Sequence, residues 1–224
     1  MKQHLIIEGQ DSWVLAELWG KHLPNPKGYP TKEILKQKEF FKPANGYANV
    51  PRLVSATLKI EGLTNLGIIV DANEIGVGSR WDAIKNRLSE KFGKEVLANL
   101  SPKSGGVVIR KEGVPLTVGV WIMPDNESYG YLEHFLENML PPDGKTELWD
   151  YIRMTLKDLQ SQKFCEFEEK AYQKALVRTW LAWQQEPGLS FGTALTKGYF
   201  NPNAESVKPF LEWISNTFEL EKLN

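Results

Sequence analysis

Four residues with oxygen-bearing side chains, Glu8, Asp71, Asn73 and Asp125, stand at the ends of three apolar runs in the sequence. If these runs are parallel strands, their ends share one edge of a sheet, which is where open α/β sheets bind ligands. Clustered carboxylates without histidine or cysteine suit a hard divalent cation such as Mg2+ or Mn2+, which prefers oxygen ligands. The pattern therefore predicts a metal site that polarises a phosphoryl group during phosphodiester chemistry.

The segment from Asp71 to Glu74 also has a simpler interpretation. Asp and Asn are favoured in turns and at helix caps, so Asp71, Asn73 and Glu74 could serve only to turn the chain and start the next helix. Taken alone, the segment favours this turn. The metal site is favoured only when Glu8 and Asp125 are considered with it.

Four further residues are expected to support the site. Asp11 and Glu74 follow the first two strand ends closely, and Asn126 stands beside Asp125. Glu133 comes one turn into the predicted helix after Asp125, where it could serve as a ligand or support one. A glutamate in such a helix more often lies on a solvated face, and both interpretations of Glu133 stay open.

Length, charge and cysteine content limit the class of protein. The 224 residues suffice for one sizeable domain or for a domain with an appended subdomain. A formal net charge of -1 gives no general signal of nucleic-acid binding, which would need a local basic patch or metal ions. The one cysteine, Cys165, excludes an intramolecular disulfide and a cysteine-rich zinc site. Neither a signal peptide nor a membrane span is predicted, so we expect a cytoplasmic protein.

The spacing of apolar residues predicts the elements that must position these side chains. Strands are predicted at residues 5–7, 39–41, 66–70, 107–110 and 117–123. Helices are predicted at residues 11–22, 51–60, 81–92, 132–140, 147–159, 167–184, 193–197 and 207–218. Residues 51–60 also alternate like a strand, but Pro51 suits a first helical turn and a crossover helix must precede the next parallel strand. Ser79 is the predicted N-cap of the helix that carries Trp81.

The order of these elements predicts the fold class. Strands and helices alternate first and helices alone follow, which is typical of an α/β fold with a mostly parallel sheet flanked by helices and a helical C-terminal cap. We place the α/β domain at residues 1–142 and the cap, packed on it, at residues 143–224.

Two of the strand ends resemble the motifs of a known domain. Residues 5–11, in which a strand delivers Glu8 and Gly9, resemble the first motif of the TOPRIM (topoisomerase-primase) domain. Residues 68–73 resemble its second motif, in which a strand delivers Asp-x-Asp. The α/β domain is therefore expected to be TOPRIM-like.

Later segments extend the resemblance over nearly the whole chain. Residues 119–126, 130–133 and 179–184 are similar to a small stand-alone TOPRIM-like family of unknown function. The resemblance implies Mg2+ or Mn2+ as cofactor and phosphodiester cleavage, transfer or synthesis on DNA or RNA. Related stand-alone proteins include nucleases of anti-phage defence that work beside an ATPase, so an ATPase partner is also implied.

In the resemblance, Glu8, Asp71 and Asn73 occupy the positions of the metal ligands, with Asp125 as the next candidate. The chain departs from the motif at Asn73, where the family pattern has a second aspartate. Asparagine keeps an oxygen ligand but loses a negative charge, which would weaken a two-metal site or leave one held ion. Asp125, Glu74 or Glu133 could supply the missing charge, and Glu8 could instead act as the general base.

Three functions therefore remain open from the sequence. The first is a metal-dependent nuclease or related phosphodiester-transfer enzyme. The second is a catalytically degenerate TOPRIM-like protein that regulates or binds a partner, and the third is phosphatase-like chemistry on a small phosphate ester at the same acidic edge.

Overall fold

The computed structural model describes residues 2–9, 13–22, 40–141 and 145–219. The predicted supporting residue Asp11 lies outside the described residues. The strands β1 to β5 are Lys2–Ile7, Phe41–Pro43, Leu63–Asp71, Val107–Lys111 and Val114–Met123.

These strands form one mostly parallel sheet in the order β2-β1-β3-β5-β4. Strands β2, β1, β3 and β5 run parallel, and β4 pairs antiparallel with β5 as the other half of a hairpin. The carboxyl ends of β1, β3 and β5 therefore reach the same edge of the sheet, called here the carboxyl edge. The predicted α/β class is confirmed, although β2 lies slightly later in the chain than the predicted strand at residues 39–41.

The helices in the described residues flank this sheet and then continue to the C-terminal part of the chain. Helices α1 to α9 are Trp13–His22, Val50–Thr57, Val77–Phe92, Lys94–Ala98, Leu132–Glu137, Lys145–Ser161, Tyr172–Ala182, Phe191–Thr196 and Lys208–Phe218. Short 3-10 turns at Tyr47–Asn49, Glu169–Ala171 and Glu205–Val207 lead into α2, α7 and α9. None of the helices described is both long enough and apolar enough to span a membrane.

The start of α3 differs from the sequence prediction. The helix begins at Val77, and Gly76 precedes it with a φ of 87°. Glycine adopts this left-handed conformation without the strain that a side chain would cause. The chain therefore enters the helix earlier than predicted, and the prediction that Ser79 caps α3 is wrong.

The two faces of the sheet bury separate sets of apolar side chains. In β3, Ile68 and Val70 join the core formed with α2 and α3, whereas Ile69 joins the core formed with α1 and the C-terminal helices. This division follows from the alternation of side chains along a strand that is covered on both faces. The sheet thus lies between two layers of helices that pack on its two faces, and its carboxyl edge lies between these layers.

Close packing of α9 on the centre of the sheet depends on two glycines. Gly67 in β3 and Gly119 in β5 are direct neighbours in the register. A Cβ atom on Gly119 would lie 2.0 Å from Thr217 Oγ1, and one on Gly67 would lie 3.1 Å from the ring of Phe218. Any larger residue would force α9 away from the sheet. The last helix is thereby seated on the same strands that end at the carboxyl edge.

Candidate functional site

Glu8 and Asp71 meet at the carboxyl edge because β1 and β3 are neighbouring parallel strands. The Oε2 atom of Glu8 accepts a hydrogen bond from the backbone N–H of Asp71 at 3.0 Å. The Oδ1 atom of Asp71 accepts one from the backbone N–H of Leu132, at the start of α5, at 3.1 Å. One oxygen of each carboxyl group thus accepts a hydrogen bond that orients the group. The second oxygen of each group accepts no bond from either of these two N–H groups.

Burial and mutual repulsion make these carboxyl groups hard to ionise. Burial, and then the charges of Glu8 and Glu133, raise the pKa of Asp71 from 3.8 to about 7. Burial likewise raises the pKa of Glu8, against the lowering effects of the Asp71 N–H, the Arg80 charge and Asn73. A cation bound at this cluster would relieve the repulsion that raises the pKa of Asp71.

Asn73 stands beside this pair in a backbone conformation that suits asparagine. Its φ is 54°, a left-handed value that asparagine adopts more readily than most residues. Its backbone N–H donates to the carbonyl of Gly130 at 2.8 Å, which ties the end of β3 to the loop after β5. Its side-chain Nδ2 atom donates to the main-chain carbonyl of Asp71 at 3.5 Å, and the amide lowers the pKa of Glu8. An aspartate here would carry no N–H donor and would add a negative charge.

Glu133 completes the acidic side of the site. Its side chain is buried, and the ammonium of Lys174 lies 3.9 Å from its Oε1 atom. The more common interpretation, a solvated helix face, is therefore wrong for Glu133. The helix α5 starts immediately beside Asp71, so its first turn faces the carboxyl edge and not solvent.

A pocket of about 510 Å3 opens where these residues meet the C-terminal helices. Its acidic side holds Glu8, Asp71 and Glu133 together with Asn73. The same pocket is lined by two basic residues from the C-terminal part of the chain, Lys170 and Lys174. The pocket thus combines carboxylates and ammonium groups, and the sequence indicated only the carboxylates.

Arg80 was also not indicated by the sequence, although it lies next to the predicted core residue Trp81. The side chain is buried, and its Nε atom donates to the carbonyl oxygen of Asp71 at 3.0 Å. The guanidinium lies 3.4 Å from the centre of the Tyr47 ring. Its charge lowers the pKa of both Glu8 and Asp71. Arg80 therefore fixes the main chain at the end of β3 and partly offsets the acidic cluster.

Asp125, the remaining predicted ligand, does not line this pocket. Its carboxylate accepts hydrogen bonds from the backbone N–H groups of Glu127 and Ser128 and from the hydroxyl of Ser128. These bonds lower the pKa of Asp125. The adjacent Asn126 is buried, and its Oδ1 atom accepts from the backbone N–H of Ile122 at 2.7 Å. Both side chains thus stabilise the loop after β5.

Glu74, the last of the predicted supporting residues, is exposed after the end of β3. Its charge acts on the pocket only from a distance, by helping to raise the pKa values of Tyr131 and Lys170.

Comparison with known proteins places the chain in a family. A family model described as a protein of unknown function, DUF3226, matches residues 2–219. The chain belongs to the DUF3226 family. Comparisons with curated proteins and with solved structures give no match. The chemistry of this DUF3226 protein must therefore be argued from its own site.

The donors in the pocket fit a hard divalent cation in type and charge. They are carboxyl oxygens of Glu8, Asp71 and Glu133 and the amide oxygen of Asn73, without histidine or cysteine. In the part of the chain that the structure describes, no group of three or more His, Cys, Asp or Glu side chains is arranged to hold a metal ion. Mg2+ commonly binds through one or two carboxylates and completes its shell with waters and substrate phosphates. This DUF3226 site fits that mode and does not fit a cage made only of protein ligands.

Proposed function

We propose that this protein is a TOPRIM-like, metal-dependent enzyme that cleaves or transfers phosphodiester bonds in nucleic acid. The observation that carries the proposal is the contact between Glu8 and Asp71 at the ends of neighbouring parallel strands, inside a pocket. Two carboxyl groups held together with raised pKa values are typical of functional sites and are destabilising without a ligand.

Under this proposal, Glu8 and Asp71 hold Mg2+ or Mn2+, with Asn73 as a further oxygen ligand. The bound cation would polarise the phosphoryl group and offset the charge that develops on it. The backbone N–H of Leu132 orients Asp71, and Arg80 holds the main chain at that residue. Glu8 could instead act as the general base, because burial raises its pKa toward that of an efficient base for a proton from the attacking group.

A cleavage assay tests this proposal. Labelled single- and double-stranded DNA and RNA are incubated with the protein and Mg2+, Mn2+ or EDTA. We expect cleavage that requires the cation and falls about 100-fold or more in Glu8→Gln. Glu90→Gln is the matched control because Glu90 is exposed on α3, away from the pocket. Cleavage that Glu8→Gln retains in full, in protein shown to be folded, would contradict the assignment.

The second candidate is a catalytically degenerate protein that regulates or binds a partner. The amide of Asn73 favours it, because it lowers the pKa of Glu8 without any cation. This candidate predicts no cleavage with any cation and binding to a partner, such as an ATPase, that survives Glu8→Gln and Asp71→Asn. Anomalous scattering from Mn2+-soaked crystals separates the two, since an occupied pocket favours the enzyme. A place in anti-phage defence is proposed only from the resemblance, and a place in the cytoplasm only from the sequence.

A further inference from the structure

We propose that nucleic acid reaches this pocket as an unpaired strand, with a backbone phosphate seated between the side chains of Lys170 and Lys174. This inference rests on the proposed function, since it places the phosphate in the pocket that the Glu8 and Asp71 carboxylates line. It assigns a phosphate-binding role to the C-terminal part of the chain, which the sequence motifs did not indicate.

The two lysines are placed to act together. Lys170 lies in the 3-10 turn that leads into α7, and Lys174 lies in the first turns of that helix. Residues four apart lie on one side of a helical segment, and both line the pocket. Their side chains are about 60% exposed, at 62% and 59%, so their ammonium groups can reach a ligand without a change of fold.

The present partners of these lysines can be exchanged for a phosphate. Lys170 pairs with the exposed carboxylate of Glu168 at 2.5 Å, and exposed pairs of this kind contribute little to stability. The ammonium of Lys174 lies 3.9 Å from Glu133 Oε1, beyond direct hydrogen-bond distance. Both ammonium groups would gain a charge-assisted hydrogen bond to a phosphate oxygen.

The size of the pocket suits one nucleotide of an unpaired strand. A volume of about 510 Å3 is in the range of sites that bind one small molecule. A single nucleotide is a small molecule of this size class. In a duplex each base is stacked and paired, and an enzyme must pay to extrude it before a pocket of this kind can enclose it. A single strand or a frayed end can enter without that cost.

An aromatic ring in the pocket suits an unpaired base. Tyr131 lines the pocket, and its ring stacks on His134 with centroids 5.4 Å apart and planes at 28°. The backbone N–H of Tyr131 donates to Nδ1 of His134, which holds the imidazole ring beside Tyr131. A fixed aromatic ring next to basic side chains is the combination that binds single strands without regard to sequence.

Fluorescence anisotropy tests this inference without depending on catalysis. A labelled 12-nucleotide single strand and the duplex of the same sequence are titrated with the protein in Ca2+, which takes oxygen ligands with looser geometry than Mg2+. Strand integrity is checked on a gel. We expect the single strand to bind at least about tenfold more tightly than the duplex. In Lys170→Gln/Lys174→Gln, affinity should fall about tenfold, and the slope of log K against log salt should decrease in magnitude by about 0.7, the value for one phosphate contact.

Lys91→Gln/Lys94→Gln is the matched control because it removes the same charge. These lysines are exposed at the end of α3 and in α4, and Gly93 between them faces Lys111 near the β4–β5 turn, away from the carboxyl edge. We expect this variant to bind like the unaltered protein.

Separate variants test the aromatic ring. Tyr131→Phe should keep most of the affinity and Tyr131→Ala should lose about fivefold or more, because stacking requires only the ring.

Several outcomes would overturn the inference. These are no binding of the single strand, equal binding of the duplex, equal losses in the two lysine pairs, or a nucleoside monophosphate that binds as tightly as the 12-nucleotide strand. Metal-dependent cleavage that the pocket-lysine variant retains would keep the proposed function and refute this inference. Lysine-dependent binding of single strands without cleavage would support this inference and refute the proposed function.

Discussion

The ends of β3 and β5 carry similar residues but place their carboxyl groups in opposite environments. Asp71 accepts a hydrogen bond from Leu132 and faces the charges of Glu8 and Glu133, and its pKa is raised to about 7. Asp125 accepts three hydrogen bonds within its own loop, and its pKa is lowered. The position at a strand end is therefore not what makes a carboxylate available to a ligand. What matters is whether the following loop already supplies its donors.

The difference begins in the backbone of the two loops. After β5, the chain turns back on Asp125, so that residues two and three positions later supply their N–H groups. After β3, the backbone N–H of Asn73 donates to Gly130 in the neighbouring loop, and the chain continues into α3. The residues that directly follow Asp71 therefore do not supply N–H donors to its carboxylate. The surroundings of the Asp71 carboxylate thus come from neighbouring segments, which supply two more carboxyl groups and one N–H donor. One aspartate stabilises its loop, and the other would be stabilised by a cation.

Matched Asp→Asn substitutions should separate the two strand ends most strongly in catalysis. We expect Asp71→Asn to lower metal-dependent cleavage about 100-fold or more, because it removes a charged group at the site where the cation and phosphate would meet. Asp125→Asn should change the rate less than about threefold. Initial rates at saturating Mg2+ give the comparison. Equal losses in the two variants would show that the β5 end belongs to the site as well.

The same pair should respond to pH in opposite directions when stability is measured without metal. Below about pH 4, Asp71 is protonated in both folded and unfolded protein. As pH rises to about 7, only the unfolded chain ionises freely, so stability is lost. The free energy of unfolding of Asp71→Asn should therefore exceed that of the unaltered protein by about 2–4 kcal/mol at pH 8 and differ little from it at pH 4.

For Asp125 we expect the opposite dependence of stability on pH. Its lowered pKa contributes stability that is present above its ordinary pKa and is lost as pH falls through the lowered value. Asp125→Asn should thus be less stable than the unaltered protein at pH 8. Urea denaturation at both pH values tests the pair, and a destabilised Asp71→Asn at pH 8 would contradict the electrostatic account.

Metal binding should sharpen the comparison through stability alone. If Mg2+ binds at Asp71, a concentration of 100 times its Kd stabilises the folded protein by about 2.7 kcal/mol. The unaltered protein and Asp125→Asn should both show a rise in Tm with Mg2+ or Mn2+, and Asp71→Asn should not. Thermal unfolding across a metal titration measures this, with Ca2+ and Na+ as controls for ion type and ionic strength. A rise of the same size in Asp71→Asn would place the cation elsewhere.

The sequence predicted the strands, a mostly parallel sheet and the carboxyl edge, because continuous apolar runs and their spacing are local signals. It did not predict which way each acidic side chain would point, because this depends on loop conformation, as the contrast between Asp71 and Asp125 shows. Lys170 and Lys174 were missed for a different reason. They lie about 100 residues after Asp71 and reach the pocket only through the packing of the C-terminal helices, which leaves no pattern in the neighbouring residues.

Asn73→Asp tests the smallest difference, at the position where the chain departs from the TOPRIM motif that residues 68–73 resemble. The substitution removes the amide that donates to the Asp71 carbonyl and lowers the pKa of Glu8, and it adds a negative charge beside two carboxyl groups. Without metal we expect a loss of about 1 kcal/mol of stability at pH 8, close to the value of one hydrogen bond. With Mg2+ the added charge should increase the metal-induced rise in Tm. Asparagine would then keep the metal-free pocket stable at the expense of cation affinity. If Asn73→Asp neither lowers metal-free stability nor raises the response to Mg2+, the amide of Asn73 is not what balances Glu8.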